Sequence, residues 1–266
     1  MRNIEVAVLN PDAVADAEKM AKAMASLTQR AEKIANMDDF LAMYNYKPET
    51  PEEIEKDAKR LPNLCNMPHP TLQKFAVINV VIVGASRRFL AQITGHQNEV
   101  KFMSGSLQYS NYGSDNNKTD FVVPYSYIDT PLEKEYLEGC QEAFNRYQKL
   151  IEMGEELGID DKGDCAGYEM VQGLRNILVI SATPYQWKHM IGQRICKRNT
   201  KETQYVLLKI WEQLYNLSPD MFGKLTWGCM GRGCEESKSM RKNCSGNNKN
   251  LKPYDLLKAN FPKICT

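Results

Sequence analysis

The chain has 266 residues, and 34 Lys and Arg against 33 Asp and Glu leave a net charge of +1. That length can bury a real core in one large domain or two small ones, and the near-balance of charge argues against a surface dedicated to nucleic acid or an anionic membrane. The longest apolar stretch, Phe75 to Ala85, is interrupted by Asn79 and too short to span a bilayer.

The first residues, MRNIEVAVLNPD, show neither a long apolar run nor a small-residue cleavage site, so the chain is expected in the cytoplasm. Thiols stay reduced there, and its eight cysteines read as thiols or metal ligands rather than disulfides. Ile4 to Leu9 alternates weakly and predicts a short edge strand. Asp12 to about Ala35 is rich in Ala, Met and Lys and predicts one or two helices. Thr50-Pro51-Glu52-Glu53 is a helix start, with a Thr cap, Pro in the first turn and Glu three residues after the cap. The β-branched run Val77 to Val83 leads through Gly84-Ala85-Ser86 into a helical stretch that ends at Gly95.

A polar loop from Ser110 to Thr119 precedes a second Thr-Pro start at Thr130. The helix it opens is predicted to carry Leu132, Tyr136, Leu137, Cys140, Phe144, Tyr147 and Ile151 on one side. Ile177 to Ile180 reads as a buried strand that turns at Thr183-Pro184 directly into a third helix of this kind. The pattern predicts an α/β or α+β domain over 1–218, a mixed sheet flanked by long helices, followed by a Cys-containing tail over 219–266.

Two segments carry polar groups suited to a ligand. In the first, a helix end delivers His96 and Gln97 toward Ser104-Gly105-Ser106-Leu107-Gln108-Tyr109, whose amides and hydroxyls can hydrogen-bond a heterocycle or a phosphate. Taken alone, a solvated turn is the plainer reading of it. In the second, Tyr185 to Arg198, helical spacing puts Tyr185, His189 and Gly192 on one face and Trp187, Met190, Ile191, Arg194 and Arg198 on its neighbour. Two arginines four apart beside a Trp suit a phosphate or an anionic ring; a solvated basic face over a core Trp is the plainer alternative. No phosphate loop and no GxGxxG after a strand is present. In the tail, Cys229, Cys234, Cys244 and Cys265 offer four thiolates, but without paired CxxC knuckles they are read as free or partly buried thiols, and no metal is assigned. Three histidines, at 69, 96 and 189, make a His-rich metal site improbable, and His69 before Pro70 reads as a surface turn residue.

Taken together, the segments resemble the flavin-dependent thymidylate synthases. Gly84, Ser86, Arg87, Gln92 and His96 fall on that family's first block without a gap, with Ser106 and Tyr109 following after one inserted residue. Thr183, Tyr185, Trp187, His189, Met190 and Arg194 resemble its second block, and Glu202 its acidic residue eight positions on. The tail pattern Gly228-Cys229, Gly233-Cys234-Glu235-Glu236, Cys244-Ser245-Gly246 resembles that of some relatives, so the likeness spans about residues 60–246. Departures fall on ligand positions. Gly95, Gln97, Gln108 and Tyr185 stand where the family has arginine, Gly167 where it has a phosphate-binding arginine, and Phe75 where it has histidine. Arg88, Lys101, Arg198 and, for Gly167, Arg175 are the candidate replacements.

The resemblance implies C5 methylation of dUMP, or of a related pyrimidine nucleotide, with FAD as cofactor and methylenetetrahydrofolate and NADPH as co-substrates. It implies Arg194 as the catalytic residue against the pyrimidine and His96, Gln97 and His189 as flavin contacts. Gln92, Ser106, Leu107, Gln108 and Arg194 would hold the nucleotide. It also implies a homotetramer whose neighbouring subunits share each active site, with no nucleic-acid or membrane partner. The alternatives are a flavoenzyme of the same fold acting on another pyrimidine nucleotide, and an inactive nucleotide-binding homologue.

Overall fold

The computed structural model describes residues 1–266 except 68–69, 97, 111, 113–119, 226, 235, 242–243, 245, 247–249 and 266. His69, Gln97 and most of the 110–119 loop therefore lie outside the described residues.

Among the described residues four strands form one sheet in the order β1-β2-β4-β3: β1 Glu5–Val8, β2 Ile78–Ser86, β3 Val100–Ser104 and β4 Arg175–Ala182. The described helices that surround it are α1 Asp12–Gln29, α2 Met37–Tyr44, α3 Pro51–Asn66, α4 Arg87–Ile93, α5 Pro131–Glu156, α6 Lys162–Gly167, α7 Pro184–Arg194, α8 Lys201–Leu217, α9 Pro219–Phe222 and α10 Pro253–Asn260. The α+β class is as the sequence predicts, and β1 is the expected edge strand. The sheet is not mixed, however: every pairing is antiparallel, with Val80 opposite Ile180 and Phe102 opposite Ile180 on its other side. Apolar runs reveal strands but not their direction, because burial on one face looks alike in both pairings.

Alternation sets the two faces of the sheet. Ile78, Val80 and Ile82 of β2, Leu178, Ile180 and Ala182 of β4 and Val100 of β3 point into the core. They meet α8, whose Val206, Leu207, Ile210, Trp211 and Leu214 are buried. Their neighbours along the strands face outward, and Val83, Ile177 and Met103 remain 43%, 48% and 74% exposed. Residues beyond 218 contribute Met221, Phe222, Leu225, Met230, Leu257 and Phe261 to the same core.

The predicted helix starts are built in different ways. Thr50 makes the full capping box with Glu53, and Thr183 accepts from Gln186 N. Thr130 does neither, since its hydroxyl donates to Tyr127 O at 2.7 Å. On α5, Cys140, Phe144 and Tyr147 are buried as the spacing predicts, but Leu132, in the first turn, is 54% exposed. At the β2 exit Gly84 forms a bulge with φ +85°, and a Cβ there would lie 2.8 Å from Asn3 O and 2.9 Å from Arg175 Nη2. Only glycine suits that corner.

Candidate functional site

Two strand-to-helix corners build the site. Ser86 ends β2 and caps α4 by accepting from Phe89 N, while Thr183 plays the same part between β4 and α7. Because β2 and β4 are antiparallel, with Ser86 opposite Arg175 and Ile78 opposite Ala182, the helices leave from opposite ends of the pair. Their C-terminal ends meet. Arg194, in the last turn of α7, donates from Nε to His96 Nε2 at 2.7 Å and from Nη2 to Gln92 O at 3.2 Å. Its Nη1 reaches Asn199 Oδ1 at 3.4 Å. Helix C-termini carry partial negative charge, which favours a guanidinium at this junction.

Among the described residues three of the five guanidinium donors are thus committed, and two remain for a ligand. Accepting from Arg194 fixes His96 as the neutral tautomer protonated at Nδ1. Burial, then the positive charge of Arg194 and the charge His189 would carry if protonated, pulls its pKa from 6.5 down to about 4. His189 lies across from it, ring centroids 6.0 Å apart at 80°. Its pKa is also lowered, first by burial and then by the charge of Arg232. Two neutral imidazoles beside a fixed cation make a site that receives negative charge without supplying protons at neutral pH.

Gln92 is held by its amide oxygen, which accepts from Thr200 Oγ1 at 2.9 Å and Thr203 Oγ1 at 2.7 Å. Beneath His189, the fully buried Lys188 donates to Cys65 O at 3.0 Å and Gln73 Oε1 at 3.1 Å. Burial pushes its pKa down to about 8. Trp187 Nε1 donates to Ile78 O at 3.1 Å, fastening α7 to the start of β2.

The expected residues therefore fall into two groups. Gln92, His96, His189 and Arg194 come together. Ser106, Leu107 and Gln108 sit beyond β3, and among the described residues no hydrogen bond, ion pair or ring contact joins them to Arg194. The Ser106 hydroxyl accepts from Gln108 N at 3.2 Å, and the Leu107 side chain faces Gly167 of α6. Two candidate replacement cations are already paired. Arg175 binds Asp120 at 3.1 Å and Asn3 O at 2.7 Å, and Arg198 pairs with Glu236.

Glu202 accepts from Ser86 N at 2.7 Å and Ser86 Oγ at 2.6 Å, so it braces the α4 corner from outside the ligand group. Its own pKa is raised by burial, against the pull of both bonds. Sequence reasoning missed Thr200, Thr203 and Asn199 as supports of Gln92 and Arg194. The signal was there, since Thr200 opens α8 as its cap. None of the eight cysteines is in a disulfide. Among the described residues no three His, Cys, Asp or Glu side chains converge as a metal site requires, and no helix is long and apolar enough to cross a membrane.

The family model for thymidylate synthase complementing proteins matches residues 11–220. The flavin-dependent thymidylate synthase of Pyrococcus abyssi is 25% identical over 185 residues, covering 69% of this chain and 73% of that one. That of Thermococcus onnurineus is 25% identical over 182 residues, covering 68% and 71%. Thymidylate synthase X from Helicobacter pylori, solved with FAD and dUMP, superposes with a TM-score of 0.53 at 16% identity, covering 82% of this chain and 97% of its own. With the family model spanning most of its length, this chain belongs to the thymidylate synthase complementing proteins, the enzyme family of the flavin-dependent thymidylate synthases.

Proposed function

We propose that the chain methylates dUMP at C5, taking the carbon from methylenetetrahydrofolate and using FAD that NADPH keeps reduced. The observation that carries this reading is the Arg194 junction: a guanidinium with two donors unspent, set among neutral imidazoles at the meeting of two helix ends. Uracil C5 is a poor nucleophile, so the site must stabilise negative charge on the ring as C5 attacks the methylene carbon. Arg194 does so from a fixed position, because His96, Gln92 and Asn199 remove its freedom to swing away. C5 then loses its proton, the bonds from the methylene carbon to the folate nitrogens break so that tetrahydrofolate leaves, and that carbon becomes a methyl group on gaining a hydride. FAD, when bound and reduced, supplies that hydride.

The residues present fit such a cofactor. His96 and His189 offer neutral ring edges, and the cation Arg194 lies beside them to balance negative charge. With its oxygen held by two threonines, Gln92 has its NH2 donors for a pyrimidine carbonyl. In one copy Ser106, Leu107 and Gln108 stand apart from Arg194. This supports a homotetramer in which one subunit brings that strand end to another's Arg194, and the apolar outer face of the sheet supplies a surface for the contact. The cytoplasm, a reducing compartment, suits eight cysteines outside any disulfide.

The test is direct. Purified protein is expected to carry yellow, extractable FAD and to release tritium from 5-labelled dUMP in the presence of methylenetetrahydrofolate and NADPH. Colourless protein that takes up no added FAD would overturn the flavin reading. Release from another pyrimidine nucleotide but not from dUMP would move the substrate and leave the chemistry. Elution as a monomer would end the shared-site assembly.

A further inference from the structure

The segment after α9 lies outside the family-matched residues 11–220, yet it reaches the Arg194 junction. Trp227 rests on α7 at closest approach: a Cβ on Gly192 would lie 2.9 Å from both Trp227 Cβ and Trp227 O. Gly228, at φ +61°, returns the contact, since a Cβ there would lie 2.7 Å from Gly192 O. The indole meets the His189 ring edge-on, centroids 4.3 Å apart at 79°. A continuous line of rings thus runs from Trp227 through His189 to His96, whose Nε2 holds Arg194. Over the indole lies the exposed Arg232, its guanidinium 4.3 Å from the ring centroid. Among the described residues no carboxylate pairs with Arg232, in contrast to Arg198 with its Glu236.

The indole nitrogen is the second observation. The chain has three tryptophans. Trp187 Nε1 donates to Ile78 O and Trp211 Nε1 donates to Phe222 O. Trp227 Nε1 is buried and, among the described residues, has no acceptor. Buried donors are almost always satisfied, because leaving one unmade forfeits its bond to water. An acceptor that arrives with a ligand resolves the anomaly.

We infer that Trp227 and Arg232 form a wall of the cofactor site that the family-matched stretch does not contain. The indole N–H donates to a carbonyl or ring-nitrogen acceptor of the flavin, and Arg232 brings positive charge to the anionic part of the same molecule. The sequence has Gly95 and Gln97 in place of family arginines, and Arg232 offers a cation from outside the family-matched stretch. This inference rests on the flavin reading above and extends it to residues that reading does not use.

The test is FAD binding to the full chain, by equilibrium dialysis and by flavin fluorescence, at two salt concentrations. Wild type is expected to bind FAD and to quench its fluorescence, since an adjacent indole is readily oxidised by excited flavin. Trp227→Phe keeps an aromatic ring but loses the N–H. It should raise the Kd about tenfold and restore much of the fluorescence. Arg232→Gln should raise the Kd several-fold at low salt and flatten its salt dependence, which loss of structure alone would not do. Circular dichroism checks the fold of both variants, and if Trp227→Phe misfolds, the exposed Arg232→Gln decides. Wild type that binds FAD while both variants match its Kd, quenching and salt slope would overturn this inference and leave the flavin reading standing. Wild type that binds no FAD would sink both.

Discussion

At the end of β2, Ser86 caps α4 while the Glu202 carboxylate accepts from its N–H and its hydroxyl. At the end of β4, Thr183 caps α7 with a hydroxyl alone. The α4 corner is held at its start by a buried anion, whose charged form Arg88 also favours. The α7 corner is held along its flank, by Trp187 to Ile78 O and by Lys188 to Cys65 O and Gln73. Helix length accounts for the difference. A seven-residue helix is marginal without strong tertiary ties, whereas an eleven-residue helix with seven of its residues buried is fixed by packing. Both solutions leave the C-terminal ends bearing the ligand groups, and there the two corners become one site.

Breaking that shared end should have the largest effect. Arg194→Ala is expected to cut tritium release from dUMP about 10²–10³-fold, with circular dichroism unchanged. Near-normal turnover would remove Arg194 from its role. Next comes the charged corner. Glu202→Ala leaves two Ser86 donors unmet and should cost about 3 kcal/mol in urea unfolding. A loss no larger than that at the neutral corner would erase the contrast between the two. Thr183→Ala removes one hydroxyl cap and should cost about 1 kcal/mol in the same measurement.

The smallest effect is a slope. Neutral His96 contributes stability that is present above its ordinary pKa of 6.5 and is lost as pH falls toward about 4. Melting temperature should therefore drop between about pH 7 and about pH 5, and less steeply in His96→Gln than in wild type. Parallel slopes would show that His96 does not stay neutral through folding.

Much of this architecture is legible in the residues. The two buried strands, their Ser and Thr caps and the helices after them follow from β-branched runs meeting Ser-Arg and Thr-Pro. The meeting of His96 and Arg194 is different in kind: no periodicity implies it, and it rests on two blocks resembling one family. Sheet direction is not legible, since Val80 reads alike in either pairing. The failed cap at Thr130 is a tertiary matter. Glu133, the residue expected to complete it, accepts instead from Asp129 N at 2.8 Å and pairs with Arg2. The apposition of Trp227 with His189 could not be read either, because it depends on how an irregular segment folds back on α7.

That apposition constrains descent as well as binding. A side chain on Gly192 would collide with Trp227, and one on Gly228 with the Gly192 carbonyl, so neither position can change while the segment stays docked. A lineage that sheds the segment frees position 192 for any residue, whereas one that keeps it must keep glycine at both. Across homologues, the identity of a single helical position should therefore record whether the chain beyond it still folds back.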